Sequence, residues 1–315
     1  MCGIAGRILD RPGPVGADLV ELMQAQEHRG ADSTGFALYG EPRAEGFVVK
    51  VFLSDRGHLD RSLVELHDLI TDHGGELTAD PTWDDTGQSH VFIRLEISEP
   101  VSPVARWVDA ADELEGVEIQ SVGRSLEIIE DVGDATEVAA KHHVGEFIGT
   151  HGVGHARLAT ESTVLPTASH PFWARPFPDV AIVHNGQLTN YYLQRRRLER
   201  AGYRFTTEND SEMIAVWLSD QMSSGSDLAR ALATSVKTLD GVFTYLLSTA
   251  DAIGMAKDRL AIKPIVAIED GIVTAMATEE QALRHLYPEE GETVNYDGPG
   301  LTRVWPATTP ATVAT

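Results

Sequence analysis

The only cysteine of this 315-residue chain is its second residue. Removal of Met1, which the small side chain at position 2 permits, would leave Cys2 with a free α-amino group beside its thiol. An α-amino group titrates at about 7.7 to 8.0 and a thiol near 8.5, so at neutral pH the amine can take the thiol proton without a large shift of either. Such a pair is a nucleophile that needs no histidine. Thiolate attack on an amide carbonyl develops charge on the oxygen, and hydrogen-bond donors must wait where that charge appears. The stretch "VHNGQL" offers two of them at the end of an apolar run: the side-chain N–H of Asn185 and the main-chain N–H of Gly186, which no Cβ obstructs. Asn-Gly is also the commonest hairpin pair, so a plain strand-ending turn is the competing reading of these two residues.

A small amino-acid substrate also needs its charged ends held. Arg157, in "GHARLAT", can grip a carboxylate with its planar fork, and it would be costly to bury there without an acidic partner. Asp210, in "TENDSE", can accept from an ammonium group, although an acid at a helix start is equally expected as a cap. His151 and His155 stand four apart, but the glycines between them speak against a helical metal pair, and no H-E-x-x-H occurs. No metal site is expected, and neither a P-loop nor a full G-x-G-x-x-G is present.

These residues must be carried by sheets. "MCGIAGRIL" reads as a strand followed by a helix over "GADLVELMQAQEHR", a Gly-rich turn "HRGADSTG", and the strands "GFALYG" and "FVVKVFL". The middle of the chain holds strands "HVFIRLEI" and "SLEIIEDV" around a helix that Ser102 and Pro103 can open. Beyond Phe147 come strands "FIGTHGVGHARLAT", "DVAIVHNGQL", "GVFTYLLSTA" and "PIVAIEDGIVTAMATEE". Three consecutive helices separate the second of these from the third, two of them closing on glycine. Strands grouped apart from helices favour a layered α+β arrangement over a doubly wound parallel sheet.

The formal net charge of −23 argues against a nucleic-acid binder, which needs basic surface. Residues 54–145 hold 21 acidic and 6 basic residues, an excess that marks this block as an inserted α+β subdomain. The run "QRRRLER" is the one basic cluster, a solvated helix face or a partner-docking face. One cysteine excludes an internal disulfide, and neither a leader nor a long apolar run is seen. A cytoplasmic protein that does not enter membranes is expected. The last residues, "PATTPATVAT", are expected to form a disordered tail.

In order, "MCGIAG", "HRGADSTG", "GHARLAT", "SHPF", "VHNGQLTN" and "TENDSE" resemble the motifs of class II glutamine amidotransferase domains, the N-terminal-nucleophile (Ntn) glutaminases. The later "LDGVFTYLL", "KDRLAIKPI" and "ATEEQAL" resemble the closing strands of that family, with Lys257 standing where it usually shows arginine. The resemblance implies a four-layer αββα sandwich built from residues 1–53 and 146–305, interrupted by the 54–145 insertion and followed by the tail at 306–315. It also implies Cys2 as nucleophile with Asn185 and Gly186 forming the oxyanion hole. Arg157 and Asp210 would clamp the glutamine backbone, and Thr160 and His170 match motif positions that line the pocket.

The wording of "GHARLATESTV", "VHNGQLTN" and "GYRFTTENDSE" is most similar to the stand-alone amidotransferase subunits of glutamate-synthase-like complexes, including N-methylglutamate synthase. That resemblance implies glutamine as substrate and a separate synthase subunit that accepts the ammonia. It implies no cofactor in this chain, with FMN only in the partner. Two other readings compete: an Ntn hydrolase acting on a different amide, and a catalytically silent subunit that binds glutamine or scaffolds a complex.

Overall fold

The computed structural model describes residues 2–84, 87–158, 167, 169–271, 273–289 and 291–307. The chain opens with strand β1 (Gly3–Gly13), helix α1 (Val15–Gln24), β2 (Ser33–Tyr39) and β3 (Phe47–Leu53). Helix α2 (Leu59–Asp72), β4 (Thr82–Trp83), β5 (Val91–Ile97), α3 (Val104–Ala111), β6 (Val117–Gly123), β7 (Leu126–Val132) and α4 (Ala135–Lys141) follow. Then come β8 (Gly149–Arg157), β9 (Phe172–Trp173), β10 (Ala181–Leu188), and the helices α5 (Tyr191–Arg200), α6 (Asp210–Ser223) and α7 (Leu228–Thr238). The chain closes with β11 (Gly241–Thr249), β12 (Ala252–Lys257), β13 (Val266–Asp270), β14 (Val273–Ala277), α8 (Glu280–Leu286), β15 (Thr293–Asn295) and β16 (Thr302–Pro306).

Among the described residues, sixteen strands form three sheets: β15-β13-β14-β1-β8-β2-β7, β16-β12-β11-β10-β9, and β4-β5-β3-β6. The period-2 pattern of the sequence explains how the first two stack. In β1, Ile4 and Ile8 face a core shared with Val183, Leu246 and Met255 of the second sheet. The alternate residues Ala5 and Leu9 face Leu19, Leu22, Val138 and Leu283 on α1, α4 and α8. The second sheet does the same in mirror image. Ile182, Tyr245 and Leu247 turn outward onto Ile214, Leu218 and Leu232 of α6 and α7. Each sheet is thus apolar on both faces, and the result is the expected four-layer αββα sandwich.

The boundary of the acidic block in composition and the boundary in hydrogen bonding fall at different residues. β3 precedes the block yet pairs with β5 and β6 inside it. β7 lies inside the block yet pairs along its length with β2, closing the edge of the seven-stranded sheet. The small sheet buries Val49, Val51, Ile93 and Leu95 against Leu66, Ile70 and Trp107 of α2 and α3. No helix among the described residues is long and apolar enough to cross a membrane.

Candidate active site

Strands β1 and β10, one from each large sheet, approach each other at their ends. β1 begins at Gly3, opposite Ala156 of β8, so Cys2 lies just beyond the ladder beside Arg157, the last residue of β8. The second sheet reaches the same place through β10, where the side-chain amide of Asn185 donates to the Cys2 carbonyl at 2.7 Å. Cys2 is half-buried. The Gly-rich turn after α1 closes over this corner: Gly30 packs so near the Arg157 main chain that any Cβ there would collide with it.

The ladder register decides which groups of β10 face the corner. Gly186 lies opposite Phe243 and Leu188 opposite Gly241. The Phe243 N–H donates to the Asp258 carboxylate at 2.8 Å and its carbonyl accepts from the Asp258 N–H, both on its far side, so the Gly186–Phe243 pair is of the non-hydrogen-bonded kind. By the alternation of the ladder, the N–H groups of Gly186 and Leu188 therefore point off the edge of β10. The Leu188 N–H meets the Asp210 carboxylate there at 2.9 Å. Gly186 has φ +150, and a Cβ on it would strike the Val242 carbonyl and come within 2.8 Å of His184 Nε2. Only glycine fits this position without strain.

Asp210 opens α6, whose cap Asn209 accepts from the Ser211 N–H at 2.9 Å. Gly186, Leu188, Asn209 and Asp210 line a cleft of about 450 Å³ that ends at Tyr191 and Tyr192 of α5. Burial opposes ionisation of Asp210, but His184 and the bonds from the Leu188 N–H and the Ser211 hydroxyl outweigh it and hold the carboxyl below the ordinary range. The corner thus brings Cys2, Arg157, Asn185, Gly186 and Asp210 into one neighbourhood, of which Gly186 and Asp210 line the cleft itself and Cys2, Arg157 and Asn185 do not.

His170 is not among the residues that line this cleft: it is buried, shares a 2.7 Å hydrogen bond with Ser211 Oγ, and stacks on His155 with ring centroids 4.0 Å apart. The apolar packing of Phe172 against its ring edge draws it inward. Thr160 lies outside the described residues. Lys257 is fully buried and donates to the Tyr296 carbonyl at 2.6 Å.

The sequence reading missed His184 and Ser211, and weighed His155 only as half of a metal pair; with His170 these form a buried polar cluster near the corner. Ser211 Oγ is 2.9 Å from His184 Nδ1 and donates weakly to Asp210 Oδ1 at 3.4 Å. His155 Nε2 donates to the His184 carbonyl at 3.2 Å. Desolvation pushes His155 down to about 3, with Arg157 adding to the effect, and it drives His170 well below the usual imidazole range. The signal was present in "VHNGQL" and "NDSE", where His184 and Ser211 adjoin the chosen residues, but only contact across 27 positions reveals their role.

A four-layer sandwich that sets a near-terminal cysteine of one sheet against an Asn-Gly corner of the other is the plan of an Ntn-type amidohydrolase. The fold matches glutamine phosphoribosylpyrophosphate amidotransferase of B. subtilis with a TM-score of 0.60 at 16% identity, over 96% of this chain and 47% of that one. A profile described as a glutamine amidotransferase domain matches residues 155–285. A protein of Methanothermobacter thermautotrophicus, named as a glutamine amidotransferase by inference, is 36% identical over 97% of this chain and 99% of its own. The glutamine amidotransferase-like protein GlxB of Rhizobium meliloti is 33% identical over 97% and 98%. The chain belongs to the glutamine amidotransferase family, of the class II type.

Proposed function

We propose that this chain hydrolyses the side-chain amide of glutamine and passes the ammonia to a separate synthase subunit. The Asn185–Cys2 hydrogen bond carries this reading, because at 2.7 Å it ties the main-chain carbonyl of the chain's one cysteine to the donor corner. With Met1 removed, the Cys2 amine takes the thiol proton and the thiolate attacks the amide carbon. The oxyanion is met by the second Asn185 amide hydrogen and the Gly186 N–H. Collapse transfers the proton to the leaving nitrogen, releases ammonia and leaves a γ-glutamyl thioester. Water then adds to the thioester, giving glutamate and restoring the thiolate. Arg157 holds the α-carboxylate and Asp210 the α-ammonium group.

The chain itself needs no cofactor for these steps. The partner is a glutamate-synthase-like enzyme carrying FMN, as the motif wording of the sequence implies. Intact-mass analysis of the purified protein should show loss of Met1. Ammonia release from L-glutamine should vanish in Cys2→Ala, and a glutamine analogue bearing a diazoketone should label Cys2 alone. A retained Met1, or an unchanged rate in Cys2→Ala, would overturn the proposal. Glutamine binding without turnover, with the synthase present, would instead mark the chain as a silent binding subunit.

A further inference from the structure

The small sheet has a second face. Its pleat sends Lys50, Phe92 and Arg94 away from α2 and α3, toward β7 and the end of α4, since Lys50 pairs with Arg94 and residues two apart share a face. A cleft of about 310 Å³ opens there, lined by Lys50, Asp84, Phe92, Arg94, Ile129 and His142. It shares no residue with the cleft at Asp210.

All but one of the cations here are engaged. Arg94 bonds Glu127 at 2.9 Å and Glu96 at 2.6 Å. His142 lies between Asp84 at 3.2 Å and Asp131 at 3.1 Å, and these acids outweigh burial and hold it in its charged form to higher pH than a free imidazole. Lys50, only 8% exposed, makes neither a hydrogen bond nor an ion pair among the described residues. Burial pulls its ammonium below the ordinary lysine range. Glu127 and Asp84 oppose that pull from a distance, but each already accepts from another cation. An ammonium so placed is costly to keep charged unless an anion joins it.

We propose that this cleft binds a small organic monoanion, a carboxylate with a compact apolar body. Lys50 pairs with the carboxylate, and Phe92 and Ile129 receive the body. One uncommitted cation selects one negative charge, and Asp84 and Glu127 at the walls repel polyanions such as phosphates. The volume is at the low end of small-molecule pockets, which limits the body to a single ring or a short branched chain.

The test uses the full chain and two probe acids, benzoate and 4-methylpentanoate, with benzamide and inorganic phosphate as controls. Calorimetry should show one molecule of at least one acid bound per chain, with neither control binding at concentrations up to about 10 mM. Lys50→Met should weaken that binding at least about tenfold and raise the melting temperature of the unliganded protein, because an unpaired buried charge is gone. Should Lys50→Met fail to fold, Lys50→Gln serves for the binding measurement. A crystal soaked with the bound acid should place its carboxylate on Lys50 Nζ. Binding unaltered by either substitution, preference for phosphate, or no binding of either acid would overturn the proposal. Glutamine turnover is not read in any arm, so the outcome is independent of the proposed glutaminase activity.

Discussion

The side-chain amide of Asn185 and the main-chain carbonyl of Cys2, 183 residues apart in sequence, are joined by a 2.7 Å hydrogen bond that fastens the head of β1 to the corner of β10. One amide hydrogen is thereby a strut between the two sheets, and the proposal assigns the other to an oxyanion. Replacing Asn185 with alanine removes both. We expect kcat for ammonia release from glutamine to fall by about 10² to 10³, with a smaller change in KM. Steady-state ammonia assays read this directly, and a kcat within about threefold of the parent would count against the oxyanion role.

Asp210 does two things from one carboxylate. Oδ2 accepts from the Leu188 N–H, which fixes α6 against β10, and Oδ1 faces Ser211 and His184. Its depressed pKa keeps it anionic at neutral pH. In Asp210→Asn, KM for glutamine should rise about 10- to 100-fold while kcat changes much less, because the lost contact is to the substrate backbone and not to the reacting carbonyl. The parent KM should stay flat as pH falls from 8 to near the ordinary carboxylate range, about 4, and rise only below it. A KM that climbs already between pH 7 and 6 would contradict the carboxylate assignment.

The residues to which the proposal assigns the chemistry were legible because their types are rare or costly: one cysteine, an arginine among glycines, and an Asn-Gly pair ending an apolar strand. The sandwich was legible from period-2 strands gathered apart from helices. What local pattern could not supply was partnering across long separations. β2 and β3 read as a pair of successive strands, yet β2 pairs with β7 and β8, and β3 with β5 and β6. His170 read as a pocket residue because its motif position was visible, while the stacking on His155 and the bond to Ser211 that bury it were not. Ser211 itself looked like one more polar residue at a helix start.

The buried histidines make a statement about acid. His151, stacked on Tyr39 and bonded to the Thr249 carbonyl, is lowered by burial to about 4, and His155 to about 3. Both lie below the unfolded value of 6.5, so between these pH values the unfolded chain binds more protons than the folded one. Their neutral burial therefore favours the fold fully above about pH 6.5, and each should cost about 1.4 kcal/mol per pH unit as pH falls below it. His142, raised by its two acids, works the other way, its contribution present in acid and lost as pH rises through its folded value. Ring-proton NMR should show His151 and His155 untitrated from pH 8 to 5, and a midpoint above 6 for either would refute their neutral burial.

Ser211 is the joint of the cluster: its hydroxyl is within hydrogen-bond reach of His170 Nε2 at 2.7 Å, His184 Nδ1 at 2.9 Å and Asp210 Oδ1 at 3.4 Å. Ser211→Ala would strand two imidazole nitrogens at once in a site where Ser211 is 1% exposed. We expect a loss of about 2 to 4 kcal/mol in chemical denaturation, from two unmet polar groups at about 1 to 3 kcal/mol each with partial relaxation. Ser211→Thr, which keeps the oxygen, should recover much of it. If the cluster also holds Asp210 in position, KM for glutamine should rise in Ser211→Ala and return in Ser211→Thr, whereas a loss of stability with unchanged KM would confine Ser211 to the fold.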